Sequence, residues 1–256
     1  MTTLQLTGLT LRVKDLEKQL EFYRDLLGFN VLRSEGKETE LALEKKNFTL
    51  TLVHEPLAPL RPKSTLGLYH FALLLPDRKS LAAIVKRLLE SHYPHFQGAS
   101  DHGVSEAFYL ADPEGNGIEL YRDRSREEWP YENDKLKMVS DALNVEELLS
   151  EAPTSSPLDA NTTFGHLHLH VPNLDEAEIF YKPFGMAVTQ GDYPGARFLA
   201  ADGYHHHIGT NLWARGRTAP ETSTGLLGYT IALKNVEHKE ITDTLGLKVR
   251  LEPLQR

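Results

Sequence analysis

Residues 8–29 read GLTLRVKDLEKQLEFYRDLLGF, and the same order of features returns at residues 166–186 as HLHLHVPNLDEAEIFYKPFGM. At a constant offset of 158 residues the apolar positions of the first strand coincide, and Phe22-Tyr23 falls on Phe180-Tyr181. Each stretch combines an alternating strand pattern, an Asp or Asn helix cap, an amphipathic helix and a closing glycine. The chain therefore contains a repeated strand–helix unit.

A second pair of segments shares this offset, since GLYHFAL at 67–73 lies over GLLGYTI at 225–231. The chain thus consists of two halves, each made of two similar units. We predict an α+β fold of four tandem βαβββ units, the last one shortened to a strand, a helix near 236–245 and at most one further strand. The expected boundaries are 1–122 for the N-terminal pair, 123–163 for a linker with a short helix near 144–150, and 164–256 for the C-terminal pair.

Composition excludes several classes of protein. The chain has 256 residues, of which 40% are hydrophobic, and its longest apolar runs are too short to cross a bilayer. It has no cysteine, which excludes disulfides and thiolate metal sites, and the N-terminus lacks the pattern of a secretory signal. A net charge of −8 without a basic cluster argues against nucleic acid as a partner. We predict a cytoplasmic protein with no membrane or nucleic-acid partner.

The stretch GHLHLH at 165–170 places three histidines on one face of a predicted strand. Three adjacent side chains of a single strand rarely converge on one ion, so at most one or two of them could be ligands. The pattern alone leaves a metal site, a pH-sensitive surface and solvated imidazoles as alternatives.

The βαβββ pattern, the FY-x(3–4)-G helix end and the hairpin DPEGNGIEL at 112–120 resemble the vicinal-oxygen-chelate superfamily. That group includes glyoxalase I, fosfomycin and bleomycin resistance proteins, and extradiol dioxygenases. The phrases LYHFALLLPDRK and GYHHHIGTNLW look most like the bacterial catechol-2,3-dioxygenase-like branch. The resemblance implies that two units pair into a cupped sheet around a divalent metal, with ligands on the first and last strands.

Carried onto this chain, the ligand positions of the family fall on His70, Glu119 and His166. Two imidazoles and one carboxylate are typical of non-heme Fe(II) oxygenases. Fe(II) is therefore the expected metal, and Mn, Zn and Ni are alternatives because affinity alone does not select iron. The assignment requires units two and three to pack together.

The other two units offer no ligand at these positions. Unit one has Gly8 on its first strand and about Thr49 on its last, and unit four has Gly228 and is expected to end before its last strand. A missing last strand would leave an apolar edge exposed, which favours a homo-oligomer.

By the same resemblance, three further residues are expected to act on the substrate. The resemblance implies an acid–base histidine on the last strand of unit three, predicted at residues 205–213, and favours His207 with His205 behind it. Strand alternation puts these two on one face and His206 on the other. Tyr109, ten residues before Glu119, is expected to hydrogen-bond a substrate oxygen, and a tyrosine that only fills a half-buried strand is the alternative. His102 is expected to contact the substrate. His168 and His170 are expected to be wall residues.

These expectations together indicate a metal-dependent extradiol dioxygenase that cleaves a catechol-like aromatic diol with O2, as in aromatic hydrocarbon catabolism. One alternative is a glyoxalase-like lyase or isomerase, which needs a fourth protein ligand, usually a second carboxylate. The corresponding strand of unit three offers histidines and Asn211 but no Asp or Glu. The other alternative is a non-catalytic protein that binds a small aromatic compound.

Overall fold

The computed structural model describes residues 3–133, 135–152 and 154–254. Its long strands form two curled sheets of seven and nine strands, with the helices packed on them. The predicted α+β fold of tandem units is confirmed. In the described part of the chain, no helix has the length and apolar character needed to cross a membrane.

Units one and two each follow the order βαβββ. The elements of unit one are β1 (Leu4–Val13), α1 (Leu16–Leu20) with a π-helical turn (Glu21–Leu26), β2 (Asn30–Glu35), β3 (Glu38–Ala42) and β4 (Thr49–His54). The elements of unit two are β5 (Gly67–Leu74), α2 (Arg78–Glu90), β6 (Phe96–Asp101), β7 (Ser105–Ala111) and β8 (Gly117–Asp123).

The linker that follows is largely irregular but carries short elements. They are a 3₁₀ turn (Arg126–Glu128), β9 (Tyr131–Glu132), β10 (Lys135–Leu136), β11 (Asp141–Ala142) and α3 (Val145–Ser150). Helix α3 begins after Asn144, whose side chain accepts a hydrogen bond from the N–H of Glu147.

Unit three repeats the βαβββ order and unit four does not. The elements of unit three are β12 (Thr163–His170), α4 (Leu174–Tyr181) with a 3₁₀ turn (Lys182–Phe184), β13 (Ala187–Gln190), β14 (Ala196–Ala200) and β15 (Ile208–Asn211). The elements of unit four are β16 (Gly225–Leu233), β17 (Lys239–Thr242) and β18 (Lys248–Pro253).

The helix predicted near residues 236–245 is wrong. The chain turns at Asn235, whose φ is 59°, and then forms β17 antiparallel to β18. Asp243 closes the next turn, because its side chain accepts hydrogen bonds from the N–H groups of Leu245 and Leu247, each at 2.9 Å. An aspartate that binds the backbone two and four residues on specifies a turn rather than a helix.

The expectation that unit four ends before its last strand is also wrong. β18 lies parallel to β16, as β4 lies parallel to β1, β8 to β5 and β15 to β12. Unit four therefore keeps its last strand, and it lacks the helix and one of the intervening strands.

The strand order shows which units share a sheet. Units one and four form the seven-stranded sheet, in the order β17-β18-β16-β1-β4-β3-β2. Units two and three form the nine-stranded sheet, in the order β11-β6-β7-β8-β5-β12-β15-β14-β13. In each sheet the first strands of the two units lie side by side and antiparallel.

The helical segment of unit one that contains Phe22 and Tyr23 is hydrogen-bonded to the turn before β8. Tyr23 is fully buried and donates a hydrogen bond to Oδ2 of Asp112 at 3.0 Å. The other oxygen of Asp112 accepts the N–H groups of Glu114 and Asn116, which shapes the DPEGNG turn. This buried network orients β8 and the side chain of Glu119 on it.

Candidate metal centre

His166, Ala72, Glu119 and Tyr109 form one row across four neighbouring strands of the nine-stranded sheet. Successive pairs in this row face each other in the registers of β12 with β5, β5 with β8, and β8 with β7. His70 lies two residues from Ala72 on β5, so its side chain is on the same face. Ala72 is small, and this lets the flanking side chains meet across a gap of about 10 Å between their strands.

The three predicted ligands converge. Nε2 of His70 and Nε2 of His166 each lie 3.0 Å from Oε2 of Glu119, and one donor atom from each residue lies within 4.8 Å of both others. All three side chains are buried. Nε2 of His70 forms no hydrogen bond with the described residues, although it lies 3.0 Å from Oε2 of Glu119.

The charge state of this cluster suits a divalent cation. Burial lowers the pKa of His166 to about 4 even though Glu119 opposes the shift, so the imidazole is neutral near pH 7. Burial would raise the pKa of Glu119, but the neighbouring imidazoles outweigh it and hold that pKa well below its usual value. A carboxylate, a neutral imidazole and an unpartnered buried nitrogen at one point form a donor set that fits a divalent metal.

Asn211 holds the other two histidines of GHLHLH. Nδ1 of His170 donates to Oδ1 of Asn211 at 2.5 Å, and Nδ2 of Asn211 donates to Nε2 of His168 at 3.0 Å. The ring of His168 packs edge-on against His70, with centroids 5.0 Å apart. His168 therefore lies in the wall around the cluster, and His170 lies behind Tyr69 and Asn211.

Tyr109 and His102 form a hydrogen-bonded pair beside Glu119. Nδ1 of His102 lies 2.7 Å from the carbonyl oxygen of Val139, which only an N–H can contact favourably, so Nε2 carries the lone pair. The hydroxyl of Tyr109 then donates to that Nε2 at 2.6 Å. Burial and the nearby Glu119 raise the pKa of Tyr109 well above its usual value, which keeps the phenol protonated.

The interpretation of 205–213 as one strand is wrong at its start. Asp202 and Gly203 adopt positive φ angles of 59° and 64°, and β15 begins only at Ile208. The alternation that favoured His207 therefore does not apply. His207 packs its ring on Tyr204 and accepts the N–H of Ala201 at Nδ1, at 3.3 Å.

His206, which the sequence did not single out, faces the cluster instead. Its ring centroid lies 4.0 Å from that of His166. Nε2 of His205 donates to Asp123 at 2.8 Å, so Nδ1 of His205 accepts the N–H of His206 at 2.8 Å. This series of hydrogen bonds leaves the lone pair of His206 on Nε2.

A cavity of about 360 Å³ lies over the cluster. His70, Glu119, His102, Tyr109 and His206 contribute polar groups to it. The remainder of its wall is mainly aromatic or apolar, and includes Tyr69, Tyr193, Phe198, Trp213, Met138 and Val139. The aromatic residues come from separate strands and loops, and Met138 and Val139 come from the linker, so no motif in the sequence marks them.

No fourth protein ligand is available from β15. The residue of unit three that matches Glu119 in register is Gly209, which lies opposite His168. A Cβ built at Gly209 would lie 2.8 Å from the ring of His168, so this position has no room for a side chain.

The strands of units one and four carry no comparable donor set. The match to Glu119 in unit one is Thr51 rather than Thr49, because Thr51 faces Thr10, two residues beyond Gly8. In unit four the match is Arg250. Histidine could not replace Gly8 without movement, because a Cβ there would lie 2.7 Å from Oγ1 of Thr230.

Comparison with known proteins gives matches in sequence and in structure. Residues 5–120 match the family model described as the Glyoxalase/Bleomycin resistance protein/Dioxygenase superfamily. A catechol-2,3-dioxygenase of Bacillus subtilis (strain 168) is 43% identical over 251 residues, which cover 94% of this chain and 85% of that protein.

Two solved structures share the fold at low sequence identity. Glyoxalase I of Zea mays has a TM-score of 0.58 and 17% identity, and the match covers 98% of this chain and 92% of that one. The cppA protein of Streptococcus pneumoniae TIGR4 has a TM-score of 0.61 and 12% identity, with 98% and 99% covered.

Proposed function

The chain belongs to the glyoxalase/bleomycin resistance protein/dioxygenase superfamily as an extradiol dioxygenase-like oxidoreductase, and we propose that it cleaves a catechol-like aromatic diol with O2. The observation that carries the proposal is the buried convergence of His70, Glu119 and His166 on one point beneath a cavity with aromatic walls. The proposed metal is Fe(II), held by these three residues, and Mn, Zn or Ni would use the same donors.

A bound Fe(II) would be held by His70, Glu119 and His166 and would supply electron transfer between the diol and O2. The side chains around the cavity position the diol and accept its protons. A planar ring over the cluster would lie among the aromatic side chains that line the cavity, which include Tyr69, Phe198 and Trp213.

Two histidines, His102 and His206, border the proposed position of the diol. His102 can take a proton through the hydroxyl of Tyr109, to which its Nε2 is bonded. His206 faces the cluster from the opposite side, and Asp123 fixes its tautomer through His205. Burial lowers the pKa of His206 well below its usual value, so it is free to accept a proton near pH 7.

The glyoxalase-like alternative loses support at Gly209, because the position for a second carboxylate is filled by the ring of His168. A small aromatic diol and O2 are therefore the proposed partners of the site. The cytoplasmic location stays a prediction from the sequence. The proposed homo-oligomer no longer has a missing strand to support it, since β18 is present.

The test is anaerobic reconstitution with Fe(II), followed by addition of O2 and each member of a panel of catechols. We expect a yellow ring-cleavage product and uptake of one O2 per diol consumed. His166→Ala should abolish both signals, and His238→Ala, a matched change of an exposed histidine, should leave them intact. Saturable binding of catechols without product in any metal-loaded sample would instead identify a non-catalytic binding protein.

A further inference from the structure

The cavity over the candidate metal cluster is larger than the diol that it is proposed to bind. Its volume is about 360 Å³, whereas a cavity of about 150 Å³ is enough to enclose benzene. A single catechol ring therefore leaves roughly half of the space free. Under the proposed function the two hydroxyl groups face His70, Glu119 and His166, so a substituent on the ring is what can fill the remaining space.

Three aromatic residues form a side of the cavity that is open to solvent. Tyr69 is 41% exposed, and Tyr193 and Trp213 are each 37% exposed, although all three line the cavity. The rings of Tyr69 and Trp213 meet edge-on with centroids 5.3 Å apart, and the ring of Tyr193 lies 6.3 Å from that of Trp213. We call these three residues the aromatic mouth. The three candidate ligands are buried, so a bound diol has its hydroxyl groups at the buried end and the aromatic mouth towards solvent.

Two hydrogen bonds fix Trp213 in the aromatic mouth. Its backbone N–H donates to Oδ1 of Asn211 at 3.0 Å, and its indole N–H donates to the carbonyl oxygen of Pro194 at 3.2 Å. The indole has no other polar group. The ring is therefore held in place by the protein and offers a ligand only apolar surface.

The lining of the cavity offers no counter-charge to an acidic substituent. Of the described residues that line it, none is lysine or arginine, and Glu119 is the only aspartate or glutamate. A carboxylate at the aromatic mouth would lose hydration without gaining a cationic partner. Apart from histidines and tyrosines, the other polar side chains are uncharged amides and hydroxyls, namely Gln97, Gln190, Ser100, Ser105 and Ser140.

The nearest lysine of the linker does not change this balance. Lys137 is paired with Glu132 at 2.8 Å. Asp192, which precedes Tyr193, is a second carboxylate close to Lys137. Two carboxylates thus surround this one cation, and its charge is not available to an acidic ligand.

We propose that the aromatic mouth determines substrate specificity, so that the site accepts diols with an apolar ring substituent and rejects diols with an acidic one. An apolar substituent packs on Trp213 and Tyr193, and burial of its carbon atoms adds affinity that unsubstituted catechol does not gain. A carboxylate at the same place meets aromatic faces, which carry partial negative charge. The phenol hydroxyls are neutral donors and replace at most part of the hydration that it loses.

The test compares three diols by isothermal titration calorimetry of the Fe(II)-loaded protein without O2, so that no turnover occurs. The probes are catechol, 4-isopropylcatechol and 3,4-dihydroxybenzoate, of which the last two have substituents of similar shape and different charge. We expect 4-isopropylcatechol to bind about 10-fold more tightly than catechol, because its carbon atoms are partly buried. We expect 3,4-dihydroxybenzoate to bind about 10-fold more weakly than catechol.

Two variants test the residues themselves. Trp213→Ala should lower the affinity for 4-isopropylcatechol about 5-fold and change that for catechol by less than about 2-fold. Tyr193→Arg supplies a counter-charge and should raise the affinity for 3,4-dihydroxybenzoate about 10-fold. Ile179→Arg adds the same charge on α4, at a side chain that is 69% exposed and does not line the cavity, and should change none of the three affinities.

Equal affinities for 4-isopropylcatechol and 3,4-dihydroxybenzoate would overturn the role of the aromatic mouth, as would parental affinities in both Trp213→Ala and Tyr193→Arg. Neither result would contradict ring cleavage, which requires only the diol at the cluster. The expected order of affinities without a ring-cleavage product on addition of O2 would overturn the proposed function alone. Binding of none of the three diols would overturn both proposals.

Discussion

The hydroxyl oxygen of Tyr109 lies 2.6 Å from Nε2 of His102, and Tyr109 faces Glu119 in the register of β7 and β8. The phenol thus lies between the candidate metal cluster and the imidazole of His102, whose other nitrogen is bound to the carbonyl of Val139. This arrangement suits the transfer of a proton from a bound diol.

Tyr109→Phe should lower kcat for ring cleavage about 100-fold and leave the bound metal unchanged, because the phenol is proposed to relay a proton and not to bind the ion. Steady-state kinetics with metal analysis of the same sample would check both. Tyr131→Phe, at a residue that is 60% exposed, is the matched control. An unchanged kcat for Tyr109→Phe would leave Tyr109 as a packing residue only.

Substitution by asparagine should affect kcat differently at His206 and at His207. His206 faces the cluster and lines its cavity, so His206→Asn should reduce kcat by about 10-fold or more. His207 lies against Tyr204 and accepts a backbone N–H, a role that an asparagine oxygen can also fill, so His207→Asn should keep the rate within about 2-fold. The opposite pattern of rates would restore the assignment made from the sequence.

The sequence indicated the metal-type cluster because an internal repeat preserves strand register. The family resemblance supplied the ligand positions, and an offset of 96 residues superposes His70 of unit two on His166 of unit three. Equivalent residues of two such units lie on the same face of their strands. The prediction failed at His205–His207, where the strand rule was applied to residues that form a turn. Two positive φ angles just before them set the direction of these side chains, and periodicity does not reveal such a turn.

The sequence does contain a signal for the last strand of unit four. DPEGNGIEL and DTLGLKVRL share an aspartate, a glycine three residues later and the same alternation of apolar residues. Aligning these turns would have placed a strand at Lys248–Pro253 and Arg250 opposite Thr230. The helix predicted near 236–245 does not form, because the hydrogen bonds of Asp243 decide the local backbone.

Divalent metal should stabilise the protein through the cluster alone. A ligand present at 100 times its dissociation constant adds about 2.7 kcal/mol to the free energy of unfolding. We expect a rise in the urea midpoint on addition of Fe(II) under anaerobic conditions, and its loss in His70→Ala and on chelation. His92→Ala, at an exposed histidine, should respond as the parent does. An equal shift in His70→Ala would place the stabilising ion elsewhere.

Acid should destabilise the metal-free protein through histidines that are buried in the neutral form. Burial lowers the pKa of His207 to about 4, whereas the unfolded chain has a value near 6.5. Above pH 6.5 both states are neutral at this residue and it adds no pH dependence. Between pH 6.5 and 4 the unfolded state binds the proton and the folded state does not, so falling pH favours unfolding. At pH 5 this titration of His207 is expected to lower the free energy of unfolding by about 2 kcal/mol.

Urea denaturation at pH 7.5 and pH 5, followed by circular dichroism, checks this prediction. His207→Asn has no group to titrate in this range, so its free energy of unfolding should fall by about 2 kcal/mol less than that of the parent between the two conditions. His238→Asn changes an exposed histidine and should keep the pH dependence of the parent. Equal losses in His207→Asn and in the parent would show that His207 takes up its proton in the folded state, through Asp202 and Asp123, whose charges oppose the effect of burial.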